Sequence, residues 1–199
     1  MKVTPFPTDF YTIHQPSNKE DLIRACKNAK KVKDQHFRWG YLSISQKERI
    51  DATEIYKELI PCIEEFCNDV GIKSIGVEVN DAWRNVYKKG YHQEPHDHTD
   101  CDLACVIFLD EYKKDQSSLY FTNLRHDCEP SAVWSKIINV HSWNMTPPRG
   151  SVIFFPSHML HGVTPHNSKK ERTTVSLNIV LKVCSVMECG NTSDSNSCT

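Results

Sequence analysis

The sequence has almost no net charge: 24 Lys and Arg against 25 Asp and Glu leave −1 over 199 residues. A general nucleic-acid or anionic-membrane binder would carry a basic surplus, so neither partner is expected. Also missing are an apolar run of membrane-spanning length and, in the opening MKVTPFPTDFYTIHQP, an apolar signal core. The expectation is a cytoplasmic chain with no membrane partner. Nine cysteines are present, but the number is odd, and neither a disulfide framework nor the tight paired spacing of a zinc ribbon is visible. The thiols are therefore expected to be free, and Cys105, inside ACVIFL, reads as a small buried hydrophobe. There is no internal repeat. One local charge bias runs from Lys19 to Arg38, seven basic residues against three acidic, and reads as the solvated face of a helix.

What is there has the composition of one globular domain with a helical extension, 39% hydrophobic and 25% charged. Residues 1–74 read mainly as helix. Ser17 or Asn18 can cap a helix running to about Lys33, with Leu22, Ile23, Cys26 and Ala29 at helical spacing. A second helix is expected from about Gln46 to Val70, with Gly71 as its stop and Pro61 kinking or dividing it. From Ile75 the period changes to that of strands. IGVEVNDAWRNVY, LACVIFL, SSLYFTN, SVIFFP and TTVSLNIVLKV are rich in β-branched and aromatic residues and separated by turn-forming stretches. Residues 75–186 are thus expected to form an antiparallel sandwich or barrel, which gives an α+β chain. The stretch from about Thr122 to Thr146, with His126, Cys128, Trp134 and Trp143, reads as a long loop, and residues 187–199 as a frayed tail.

Ten histidines are unevenly placed. YHQEPHDHTDCD holds His92, His96 and His98 beside Asp97, Asp100 and Asp102. Residues i and i+2 of an extended strand share a face, so two ligands can meet one metal ion as His96 with His98 or as His98 with Asp100. A third ligand must come from elsewhere, and His161 follows a strong strand and a turn in SVIFFPSHMLHGVTP. Three such ligands leave half of an octahedral site open, which suits Fe(II) oxygen chemistry, and the lack of cysteine argues against a closed zinc site. His92 and His166 can equally be solvated surface histidines.

Several segments follow one another in a telling order. Tyr87-Lys88-Lys89-Gly90 is separated from His96 by five residues, and Leu103–Leu109 forms an apolar strand after the cluster. Next come Ser118–Phe121, then Pro148–Pro156 leading to His161, then Arg172-Thr173-Thr174 eleven residues beyond it. Over roughly Val77 to Val183 the chain resembles the 2-oxoglutarate and Fe(II)-dependent oxygenase superfamily, particularly its prolyl-4-hydroxylase-like and small phage or bacterial members. The glycines usual before the Ser118–Phe121 strand are missing, and His-x-His stands where His-x-Asp is usual.

The resemblance implies a double-stranded β-helix, or jelly roll, with the N-terminal helices packed against it. It implies a hydroxylase with Fe(II), 2-oxoglutarate and dioxygen as cofactor and co-substrates, acting on a peptidyl (prolyl) or small-molecule substrate. His96, His98 and His161 would hold the metal, with Asp100 as the alternative ligand in the His98-x-Asp100 register or else orienting an imidazole. Arg172, Thr174 and Tyr87 would hold the distal carboxylate of 2-oxoglutarate, since arginine offers a planar fork and Thr174 shares its strand face. Trp83, Trp134 and Trp143 could line a substrate groove or be packed. Two other classes suit parts of the pattern: a cupin-like three-histidine dioxygenase that does not use 2-oxoglutarate, and a non-catalytic β-sandwich that binds a metal or ligand.

Overall fold

The computed structural model describes residues 9–32, 46–72, 75–122 and 142–183. Within the described residues, ten strands and two helices follow one another as β1 (Thr12–His14), α1 (Lys19–Asn28), β2 (Gln46–Arg49), α2 (Thr53–Val70), β3 (Ile75–Tyr87) and β4 (Gln93–His96). Then come β5 (Leu103–Phe108), β6 (Leu119–Thr122), β7 (Ser142–Met145), β8 (Val152–Pro156), β9 (His161–Val163) and β10 (Arg172–Val183). A six-stranded sheet in the order β1-β8-β5-β10-β3-β2 faces a four-stranded sheet in the order β4-β9-β6-β7. Every recorded pairing is antiparallel. With two helices on the outside of the larger sheet, this is an α+β double-stranded β-helix.

Strand alternation explains the two cores. In β5, Leu103, Cys105 and Ile107 face the helices, while Ala104, Val106 and Phe108 face the smaller sheet. β8 divides likewise, with Val152 and Phe154 outward and Ile153 and Phe155 inward. Both strands are covered on both faces, which is why their sequences read as continuous apolar runs. Leu22, Ile23 and Cys26 of α1 and Ile55, Leu59, Cys62 and Phe66 of α2 complete the outer core. Cys26, Cys62 and Cys105 are buried free thiols within it, as small hydrophobes.

Several local expectations are corrected. Residues 46–49 form an edge strand rather than the first turns of α2, because they pair with β3 from Val86 to Trp83. The helix begins after Asp51, whose carboxylate accepts the Thr53 N–H at 2.9 Å. α2 is not divided at Pro61, which lies on its exposed face while Leu59, Cys62 and Phe66 anchor the other. Gly71 does end it, in the left-handed conformation that glycine adopts without steric cost. α1 stops at Asn28 rather than Lys33: Arg84 of β3 donates to the Cys26, Lys27 and Ala29 carbonyls and closes its end. Asn18 precedes that helix but does not cap it, since its amide donates instead to Glu58.

The N-terminal segment supplies both edge strands of the larger sheet, β1 and β2, as well as the two helices. Lys19, Arg24, Lys27 and Lys30 of the basic stretch are exposed. The end of the 122–146 stretch is strand β7, paired with β6, not loop. His126, Cys128 and Trp134, the end of the basic stretch and the 187–199 tail lie outside the described residues. Among the described residues no helix is long and apolar enough to cross a membrane.

Candidate active site

Between the two sheets lies a narrow cavity lined by residues of both, His96, His98 and His161 at one end and Tyr87, Arg172 and Thr174 at the other. The smaller sheet brings the histidines to it. β4 pairs with β9 so that His96 lies directly opposite His161, and His98 follows β4, its N–H bonded to the Ser157 carbonyl at 2.9 Å. Gly162 makes the close approach possible. A Cβ there would stand 2.8 Å from the Gln93 carbonyl of β4 and 2.7 Å from the Tyr120 ring, which crosses over it.

His96, His98 and His161 each offer a ring nitrogen, all within 4.8 Å of one another. His96 and His161 donate from Nδ1 to the Glu94 and Met159 carbonyls, each at 2.8 Å. That fixes their tautomers, with the proton on Nδ1 and the lone pair on Nε2. The Nε2 atoms of His98 and His161 face each other at 3.3 Å, and Trp83 stacks on His98 with ring centroids 5.8 Å apart. Burial pushes His96 down to about 4 and lowers His98 and His161 as well. The neighbouring imidazoles lower His161 further. All three are thus neutral at pH 7, the form a metal requires.

Of the two registers weighed on the sequence, the cluster brought together is that of His96 and His98; Asp100 is exposed and outside it. The group set against His98 is the Asn178 amide of β10, which favours the protonated imidazole but is outweighed by burial.

The larger sheet supplies the other end. Arg172, Thr174, Ser176 and Asn178 alternate along the inner face of β10, opposite Tyr87, Asn85, Trp83 and Asp81 of β3. Arg172, Thr174 and Tyr87 all line the histidine cavity. Arg172 is 1% exposed, with its guanidinium over the Phe108 and Tyr112 rings. Nη1 donates to the Ser117 carbonyl, while Nε and Nη2 are buried with no partner. Tyr87 is buried and lines the cavity together with Thr174 and Gln93. Gln93 donates to Asn85 at 3.3 Å, and Asn85 to Ser176 at 3.0 Å.

The sequence reading missed Asn85, Gln93 and Asn178. The signal was parity, since Asn85 lies two residues from Tyr87 and Asn178 six from Arg172, each on the same strand face.

Both ends fit the groups in question. Three neutral imidazoles with no cysteine suit Fe(II), and two unpartnered buried N–H groups on a cation call for a carboxylate.

Residues 81–178, just under half of the chain, match the family described as "Putative 2OG-Fe(II) oxygenase". No curated protein matches the chain in sequence. Among solved structures, the chain is similar to a viral collagen prolyl hydroxylase from Paramecium Bursaria Chlorella virus-1 in complex with 2OG. That match is at 15% identity, covering 87% of this chain and 97% of that one, with a TM-score of 0.54. It is similar also to a Pseudomonas putida prolyl-4-hydroxylase, at 15% identity, 86% and 92% coverage and a TM-score of 0.53. A third is HygX from Streptomyces hygroscopicus with nickel, 2-oxoglutarate and hygromycin B bound, at 9% identity, 87% and 83% coverage and a TM-score of 0.53. Identities this low speak for the fold alone. Jelly roll, histidine cluster and family match together support a 2-oxoglutarate/Fe(II)-dependent oxygenase, an oxidoreductase with Fe(II), 2-oxoglutarate and dioxygen as its cofactor and co-substrates.

Proposed function

We propose that this oxygenase is a hydroxylase acting on a peptidyl substrate, with a prolyl residue as the first candidate. The observation that carries the reading is one cavity holding three neutral imidazoles together with a buried guanidinium whose Nε and Nη2 lack partners. His96, His98 and His161 would hold Fe(II). Arg172 would receive the distal carboxylate of 2-oxoglutarate on its Nε–Nη2 edge, and the Thr174 and Tyr87 hydroxyls would add hydrogen bonds. When bound, the metal and co-substrate supply oxidative decarboxylation to succinate and carbon dioxide, with one oxygen atom of dioxygen entering a C–H bond. The residues bind, orient and exclude water. Phe155, whose ring meets His161 at 4.7 Å, and Trp83 wall the metal position with apolar surface. Neutral Tyr87, its phenol pushed up by burial, stays a donor across the working pH range.

Trp143 supports a substrate surface beside this site. His96, His161, Phe121 and Trp143 stand opposite one another across β4, β9, β6 and β7. Neighbouring strands lie about 4.8 Å apart, so Trp143 stands roughly 10 Å from His161. It is 51% exposed, and an aromatic surface at that place suits a ring-bearing residue of a peptide. A small-molecule substrate is the second reading, favoured by the like fold of HygX with hygromycin B bound. The free thiols fit a reducing compartment such as the cytoplasm.

A three-histidine dioxygenase without 2-oxoglutarate would leave Arg172 buried with no use for its charge. Anaerobic titration with Fe(II) and 2-oxoglutarate tests the distinction. A weak visible charge-transfer band should grow with both present, and its absence would leave only the two alternative classes.

A further inference from the structure

His166 has no part in the chemistry above, and on the sequence it lies in a polar stretch before β10. It is nevertheless fully buried. Its backbone carbonyl accepts the Gly90 N–H at 2.7 Å, and its own N–H donates to the Tyr91 carbonyl at 2.8 Å, so it is tied to the turn just after Tyr87. Its ring bonds two further segments. Nε2 stands 2.8 Å from the Lys170 carbonyl, two residues before Arg172, and Nδ1 stands 3.2 Å from both the N–H and the hydroxyl of Ser117. Only a ring N–H can bond a carbonyl, so Nε2 carries the proton and Nδ1 is the acceptor.

Ser117 is the link to the site. Its N–H is held by His166, and its carbonyl accepts Nη1 of Arg172. With Nη1 so engaged, the Nε–Nη2 edge is the fork whose two nitrogens are both without a partner, the edge on which a carboxylate bonds side-on. Both His166 and Ser117 are wholly buried, so neither bond is exposed to competing water.

We propose that His166 is a positioning residue for 2-oxoglutarate: by holding Ser117 it fixes the plane of the Arg172 guanidinium, and so sets co-substrate affinity without touching the co-substrate. This rests on reading Arg172 as the anchor of the distal carboxylate. Two substitutions separate the ring's two bonds. His166→Asn keeps an acceptor near the place of Nδ1 and gives up Lys170. His166→Gln keeps a donor near the place of Nε2 and gives up the acceptor for Ser117.

The measurements are anaerobic 2-oxoglutarate titration of the Fe(II)-loaded full-length protein, Mn(II) affinity by electron paramagnetic resonance, and thermal melting. For a lost buried hydrogen bond, His166→Gln should weaken 2-oxoglutarate binding about tenfold or more, and His166→Asn less than about threefold. Mn(II) affinity should stay unchanged in both. Wild-type co-substrate affinity in His166→Gln overturns the proposal, as does an equal loss of 2-oxoglutarate and Mn(II) binding in both variants, which marks a purely structural residue. If the wild-type protein binds Fe(II) but not 2-oxoglutarate, the reading of Arg172 fails first, and this inference with it.

Discussion

At one end of the cavity three imidazoles are kept uncharged by burial, whereas at the other a guanidinium keeps its charge although burial opposes it. The first end presents lone pairs and awaits a cation; the second presents two unpartnered donors and awaits an anion. The first is built on β4, β9 and the turn beyond β4, and the second on β3 and β10. On the proposed reading, each sheet would supply half of a site for a molecule that chelates a metal at one end and carries a carboxylate at the other. Apolar packing between the sheets holds the halves in place, chiefly Val106, Phe108, Leu119 and Phe155.

The comparison can be broken from either end. The largest effect is expected at the metal. His161→Ala should lower Fe(II)-dependent succinate formation by on the order of 10³-fold or more, since loss of a direct ligand should exceed the 10–100-fold typical of groups behind the ligands. Arg172→Ala should act on the other half alone. Removing the charged partner of a desolvated carboxylate should lower kcat/KM for 2-oxoglutarate by roughly 10²-fold or more, with Mn(II) affinity unchanged. A parallel loss of metal binding would show that the two ends are not separable.

A pH experiment on the metal-free protein sharpens the contrast. Unfolded imidazoles take up protons below about pH 6.5, whereas folded His96 does so only near 4. Within that window the unfolded chain binds more protons, so stability falls as pH falls. His96 alone should account for roughly 3 kcal/mol, read from urea unfolding at several pH values, and His96→Ala should flatten part of the slope. Arg172 stays charged throughout and should leave the slope unmoved. Trp143→Ala should raise KM for the substrate severalfold, by about the 1 kcal/mol of an aromatic contact, with little change in kcat. Smallest of all, Asp100→Asn should alter Fe(II) affinity by less than about threefold, as befits an exposed carboxylate outside the cluster. A large loss there would restore the His98-x-Asp100 register.

Legibility in the sequence followed the physical reach of each signal. β5 and β8 were plain because a strand covered on both faces must be apolar throughout. Arg172 stood out because a cation in the strand run before TTVSLNIV demands a reason. Gln46–Arg49 was misread as helix because an edge strand of four polar residues has no apolar alternation; only its pairing with β3 makes it a strand. His166 looked like a loop histidine because its burial depends on the convergence of residues 90–91, 117 and 170, which no local pattern encodes.

The sequence by itself determined the strand-rich core and pointed to the histidines proposed to bind a metal and the arginine proposed to bind a carboxylate, since alternation and residue chemistry are local properties. Tertiary structure alone decided that His96 rather than Asp100 stands opposite His161, that Nε and Nη2 of Arg172 are left open, and that Ser117 and His166 stand behind them. Those are facts of register between strands distant in the chain, and register is set by the packing of whole sheets.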